Sequence, residues 1–155
     1  MLLRHACLVM LLGGLLAACG SGGPPRKVHP STASIQQLAV QADGSWKLTL
    51  RIQNYSTFSM HFSRIDAGLS IDGKELGRLE ATPDIDIVGN NGDIVDALFK
   101  PTAKVTFGTD IGYALKGTIE TSEPKESFKF ETASRLTPVP GVPDTYQGTE
   151  VWDFS

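Results

Sequence analysis

The sequence predicts an all-β domain, an antiparallel β-sandwich of the immunoglobulin or fibronectin III kind with about seven strands. Three observations predict it. Apolar and polar residues alternate along most of the chain after residue 34. Turn-forming residues interrupt this alternation at intervals of roughly ten residues, as in sandwiches of short strands. No segment after Cys19 has a clear helical period. One turn or a short helix could form at 91–100 or at 109–112.

The clearest strand covers residues 46–53. Trp46, Leu48, Leu50 and Ile52 alternate there with polar residues, which is typical of a strand with one buried face. A looser apolar alternation over 35–40 predicts a preceding strand. The turn residues at 42–45 then predict a hairpin between the two.

The next strand should contain an irregularity. Its inward-facing residues are even-numbered as far as Phe62 and odd-numbered from Ile65 onward. Because a shift of one residue moves every later side chain to the opposite face, we expect a β-bulge at 63–64. Asp72 and Gly73 then predict a tight hairpin, since such turns need positive φ and glycine adopts it at little cost.

The rest of the alternation predicts several further short strands. They are expected at 76–80, 85–87, 94–99, 105–107, 113–119 and 128–130. Asn90, Asn91 and Gly92 should interrupt the chain before the third of these, and Glu123-Pro124 should form a turn before the last.

The N-terminus resembles a bacterial lipoprotein signal. Arg4 and His5 precede an apolar run over 6–16, which is too short for a membrane span of roughly 20 residues and therefore predicts an export signal. The next residues, Leu-Ala-Ala-Cys at 16–19, resemble a lipobox. That resemblance implies removal of 1–18 and acylation of Cys19. The alternative is a plain secretory signal with an incidental cysteine.

The remaining chain divides into three parts. Residues 19–32 are rich in Gly, Pro and Ser and predict a lipidated cysteine followed by a flexible tether. Residues 33–133 carry the strand pattern, and 134–155 form a Pro-rich tail whose apolar end, Trp152–Phe154, either docks on the sandwich or stays mobile. Gly20, rather than Asp, follows the cysteine. We therefore expect an outer-membrane lipoprotein that faces the periplasm of a Gram-negative cell.

The strand order resembles the water-stress and hypersensitive-response (WHy) domain of the group 2 late-embryogenesis-abundant (LEA2) proteins, across about residues 34–140. The matching structural positions are Asn54 at the end of an alternating strand, Gly73 in the hairpin, and Tyr113 and Gly117 in a later strand. The chain has Asn-Tyr-Ser at 54–56 where that family usually has Asn-Pro-Asn. The resemblance implies a fibronectin-like sandwich associated with desiccation and stress tolerance, without assigned catalytic residues.

Composition and motifs argue against several functions. The formal net charge is −3, which provides no basic excess for nucleic acid. A Gly-x-Ser-x-Gly nucleophile motif is absent, and two isolated histidines beyond the signal cannot supply a zinc site. His61 should lie on a polar strand face near Arg64 and Asp66, as a solvated imidazole rather than a catalytic base. We therefore predict no enzyme activity, no metal and no cofactor.

An acidic loop leaves one ligand question open. It gathers oxygen-bearing side chains that could suit calcium or the hydroxyls of a saccharide. They are Asp84, Asp86, Asn90, Asn91, Asp93 and Asp96. Their spacing does not fit an EF-hand, and a turn-rich acidic loop without a ligand is the favoured interpretation.

Together these features predict a non-catalytic, lipid-anchored envelope protein. Its partners would be the membrane, through the lipid, and transient protein clients protected during desiccation or other stress. The alternative is an assembly or adhesion adaptor that binds one partner through an edge strand or through Trp152–Phe154. An enzyme or lectin would need a pocket that unites His61, Arg64 and Asp66, or the acidic loop.

Overall fold

The computed structural model describes residues 26–149, and its regular elements are nine β-strands. In chain order they are β1 (Thr32–Val40), β2 (Trp46–Asn54), β3 (Met60–Ile71), β4 (Lys74–Ala81), β5 (Ile85–Ile87), β6 (Asn91–Phe99), β7 (Ile111–Glu123), β8 (Lys125–Pro138) and β9 (Thr145–Gly148). The described residues contain no helix.

The strands form one curled antiparallel sheet in the order β4-β3-β7-β8-β9-β1-β2-β6, and β5 also pairs with β3. Its two outermost strands, β4 and β6, contact each other. After β6, the Thr102 N–H donates to the Leu76 carbonyl at 2.9 Å. The sheet therefore closes around a single core as a half-barrel or sandwich. This confirms the predicted all-β antiparallel class. The number of strands is nine rather than about seven.

The core consists of the inward residues of this sheet. Trp46, Leu48, Leu50 and Ile52 are all buried, which confirms the alternation predicted for β2. Phe62, on β3, is also fully buried. Full burial of a large apolar side chain contributes about 1.5–3 kcal/mol, so the core is the main source of stability.

The predicted turns and the predicted bulge are confirmed. The β1–β2 turn is closed by a hydrogen bond from Gln41 N–H to the Ser45 carbonyl at 2.7 Å. Asp72 and Gly73 adopt φ values of 48° and 82° between β3 and β4, the positive pair that a tight hairpin requires. The β3–β7 register shifts on either side of Phe62, between His61 and Arg64, so inward parity changes where the sequence requires it.

Several predicted boundaries differ from the structure. Residues 91–99 form β6 and Ile111 begins β7, so neither segment that could have held a helix does so. The strand expected at 105–107 does not form, and its apolar side chains instead pack partly buried against the core.

The sheet extends beyond residue 133, where the sequence placed the start of a Pro-rich tail. Strand β8 continues to Pro138, and β9 lies between β8 and β1. Tyr146 of β9 stacks on Phe107, with a distance of 4.5 Å between ring centroids. Residues 134–148 are thus part of the folded domain, whereas Trp152–Phe154 lie outside the described residues.

Two ends of the molecule follow from the antiparallel register. The proximal end, where β1 begins, comprises 26–31, 54–59, 82–90 and 123–125. The distal end, where β1 finishes, comprises 41–45, 72–73, 100–110 and 139–144.

Candidate functional site

Asn54 organises the proximal end. Its side chain is buried at the end of β2. Its Nδ2 donates to the backbone carbonyls of Phe58 at 3.0 Å and Ile87 at 2.9 Å, and its Oδ1 accepts the Ser56 N–H at 3.0 Å. One amide therefore shapes the 54–58 turn and joins it to β5 without the proline usual in the resembled family.

The N-terminal segment lies along this turn. The His29 N–H donates to the Ser56 hydroxyl at 2.9 Å, and the Lys27 N–H donates to Thr57 Oγ1 at 2.9 Å. The Thr57 N–H in turn donates to the Lys27 carbonyl at 3.1 Å. Lys27 and His29 of the predicted tether are therefore hydrogen-bonded to the 54–58 turn, directly before β1 begins at Thr32.

His61 lies between two aspartates. Its Nδ1 is 2.7 Å from Asp86 Oδ1, and its Nε2 is 2.8 Å from Asp84 Oδ1. Strand β5 places Asp86 opposite His61, and Asp84 precedes β5 with φ of 51°. Both contacts are hydrogen bonds only when both ring nitrogens carry protons. The bonds to Asp86, first, and Asp84 raise the pKa of His61, since they stabilise the charged ring.

This arrangement does not unite His61 with Arg64 and Asp66. Asp66 accepts the Arg78 Nε–H at 2.9 Å and a longer bond from Arg64. The bond from Arg78 is the main reason that the pKa of Asp66 is lowered. With both its ring nitrogens bound to carboxylates, His61 serves here as a link between β3 and β5 rather than as a free base.

An open groove of about 730 Å³ adjoins His61 at the proximal end. Phe58 and Met60 give it apolar surface, and the Arg26 guanidinium lies 5.4 Å from the centroid of the Phe58 ring. Its charged residues include Asp86 and Glu123. The groove therefore offers apolar and charged contacts on the same side of the molecule.

The oxygens of the acidic loop do not converge. Asp84 and Asp86 bind His61, the Asn91 side chain donates to the Gly89 carbonyl, and Asp96 accepts from Thr49 on β2. Within residues 26–149, no group of three or more acidic, histidine or cysteine side chains is placed to hold a metal ion.

The motif positions of the resembled family have structural roles. Gly73 supplies positive φ in a hairpin. The Tyr113 hydroxyl accepts the Ile35 N–H at 3.1 Å and thus joins β7 to β1, and burial raises the pKa of Tyr113. At Gly117, a Cβ would overlap the Asp66 carbonyl oxygen and lie 2.5 Å from Ala67 Cα, so β7 can approach β3 only with glycine there.

Cys19, the predicted signal peptide and the predicted lipobox lie outside the described residues. In the part of the chain from 26 to 149, no helix is long and apolar enough to cross a membrane. The sequence pattern did not predict that Val28, Tyr55 and Val88 are exposed at the same end.

Comparisons with known proteins give distant structural likenesses. No family model and no curated protein matches the sequence. The solution structure of AT1g01470 from Arabidopsis thaliana matches with a TM-score of 0.46 at 10% identity, over 81% of this chain and 88% of that one. A crystal structure of a protein from Archaeoglobus fulgidus matches with a TM-score of 0.40 at 12% identity, over 73% and 98%. Likeness at this level establishes neither a family nor a function.

Proposed function

We propose that the chain is a non-catalytic, lipid-anchored envelope protein with a LEA2/WHy-like domain. It would be held on the periplasmic side of the outer membrane by acylated Cys19. There it would limit damage to neighbouring proteins or membrane during desiccation or other stress, by transient contact. The supporting observation is that one chain combines the lipobox at 16–19 with the WHy-like positions Asn54, Gly73, Tyr113 and Gly117.

The outer surface is consistent with a hydrated, protective role. Several of its charged side chains pair with one another. Arg78 and Arg64 bind Asp66, and Arg135 binds both carboxylate oxygens of Asp110 at 2.6 Å. Exposed pairs of this kind contribute little to stability. They keep the outside polar and solvated while the core remains apolar, which suits brief contacts with many clients.

A drying experiment tests protection. A labile enzyme is dried and rehydrated with an equal mass of the Cys19→Ala chain or of an inert globular protein, and recovered activity is measured. We expect higher recovery with the chain. Leu50→Asp is a matched variant, since a buried unpaired charge costs several kcal/mol against a typical total of about 5–15 kcal/mol and should remove any protection that requires the fold. Equal recovery with the chain and the inert protein contradicts the proposal.

One feature favours a second candidate function, an adaptor for one specific partner. Strand β6 is an outermost strand of the sheet, and it exposes 48% of Ile94 and 61% of Leu98. Exposed apolar residues on an edge strand can recruit an added strand from another chain.

Pull-down from envelope extracts separates the two functions. An adaptor should retain one stoichiometric partner that Ile94→Lys and Leu98→Lys together release. A protective protein should retain no stoichiometric partner, and the same double substitution should leave its effect on drying unchanged.

A further inference from the structure

Three apolar side chains are exposed together at the proximal end. Val28 is 42% exposed, Tyr55 41% and Val88 65%. They are half of the large apolar side chains that are exposed within residues 26–149. We refer to Val28, Tyr55 and Val88 as the apolar cap.

Hydrogen bonds fix the three segments of the cap beside one another. Next to Val28, the His29 N–H donates to the Ser56 hydroxyl. The Asn90 N–H donates to the Ser56 carbonyl at 3.0 Å, which joins the Val88 segment to the Tyr55 turn. At Gly89, a Cβ would lie 2.5 Å from backbone atoms of residues 57 and 58, so this approach requires glycine. The cap is therefore a built part of the fold and does not depend on loose side chains.

The described chain begins at this same end, where Arg26 lies beside Phe58. Seven residue steps separate Cys19 from Arg26, and a fully extended chain covers about 3.3–3.6 Å per residue, or about 25 Å in all. Strand β8 has 14 residues, which corresponds to a length of about 45 Å. A lipid on Cys19 would thus keep the proximal end near the bilayer surface while the distal end could lie well away from it.

The charges around the cap are mixed. Arg26 and Lys27 lie on its N-terminal side, whereas Asp84, Asp86 and Glu123 lie near His61. This pattern gives no basic patch that would select a strongly anionic surface. It suits a largely zwitterionic headgroup layer, where valine side chains can enter the acyl boundary and a tyrosine ring can lie at the interface.

We infer that the apolar cap rests in the headgroup region of the bilayer that holds the lipid anchor, so that the domain stands with its distal end away from the membrane. This inference rests on the proposed acylation of Cys19 and adds to it a defined contact face. The lipid confines the cap to the surface, and the cap then sets the orientation of the domain.

Depth-dependent quenching tests the orientation. The acylated chain is purified as Val88→Cys, Tyr55→Cys and Val142→Cys variants, and each new cysteine carries a fluorophore. Val142 is the matched control because it is 49% exposed at the distal end. Cys7 belongs to the predicted signal and Cys19 would be acylated, so each new cysteine is the only free thiol. The samples are mixed with phosphatidylcholine vesicles that contain nitroxide-labelled lipid, and binding is measured by flotation.

The outcomes distinguish membrane contact by the apolar cap from lipid anchoring at Cys19. The inference predicts that all variants float, that labels at 88 and 55 lose fluorescence to the nitroxide lipid, and that the label at 142 does not. If the variants float but labels at 88 and 55 are quenched no more than the label at 142, the cap is not a membrane contact although the anchor stands. If the variants do not float, both the anchor and the cap contact are wrong.

Discussion

At the scale of single residues, Asn54 binds three backbone groups, two in its own turn and one in β5, through one buried amide. Replacing it with alanine would leave the Phe58 and Ile87 carbonyls and the Ser56 N–H without these partners. Each buried polar group left unsatisfied costs about 1–3 kcal/mol, so Asn54→Ala should lower the free energy of unfolding by several kcal/mol in urea denaturation. Gln53→Ala, at the neighbouring half-exposed position, should cost much less. Equal losses for the two variants would show that the amide does not organise the turn.

His61 makes stability depend on pH through its two aspartate bonds. Its pKa in the folded chain is raised above its ordinary value of about 6.5. The bonds therefore contribute fully below that ordinary value, and their contribution is lost as the pH rises through the folded pKa. The melting temperature of the wild type minus that of His61→Gln should therefore fall as the pH rises from about 6.5 through the folded pKa of His61. His29→Gln is the control, since the His29 backbone makes the contacts described above, and it should follow the wild-type profile. Parallel curves for the wild type and His61→Gln would contradict this assignment.

At the scale of strands, Gly117 sets the contact between β7 and β3. A side chain there would overlap the Asp66 backbone, whereas a Cβ at Gly68 in the adjoining strand would meet only ordinary contacts, the nearest at 3.6 Å. We expect Gly117→Ala to cost at least the roughly 1–3 kcal/mol typical of overpacking, measured by thermal unfolding. Gly68→Ala should cost little. A Gly117→Ala variant as stable as Gly68→Ala would mean that the strands are not held this closely.

The elements that the sequence predicts well are those with local causes. The Asp72-Gly73 hairpin follows from turn chemistry, and the bulge near Ser63 follows from the change of parity between Phe62 and Ile65. Strand β9 has only four residues and pairs with β1 and β8. Its pairing depends on distant partners, so a local pattern cannot reveal it.

The surroundings of His61 are less predictable than the strands, because they too depend on residues that are distant in the sequence. His61 and the polar character of its face are evident from the sequence. Its two carboxylate partners are more than 20 positions away, and β5 brings them near by pairing with the start of β3. The apolar cap likewise joins residues from three separated segments, so nothing in any one segment predicts it.

At the scale of the whole molecule, one curled sheet encloses an apolar core and carries several ion pairs on its outer surface. The proximal end combines the Asn54 turn, the His61 link and the apolar cap, and the N-terminal segment reaches the domain there. This organisation suits a domain carried on the proposed short lipidated tether, and Ile94 and Leu98 of β6 are exposed elsewhere on the molecule. The proposed role therefore depends first on whether Cys19 carries lipid.

The most direct test of lipidation at Cys19 is detergent-phase partitioning. The full-length protein is expressed with its signal in a Gram-negative host. Several acyl chains on one cysteine would anchor the protein firmly in a membrane, whereas the polypeptide without lipid would bind a membrane far more weakly. The wild type should therefore separate into the detergent phase and Cys19→Ala into the aqueous phase, with Cys7→Ala unchanged from the wild type. Undiminished partitioning of Cys19→Ala into detergent would contradict the proposed lipid anchor.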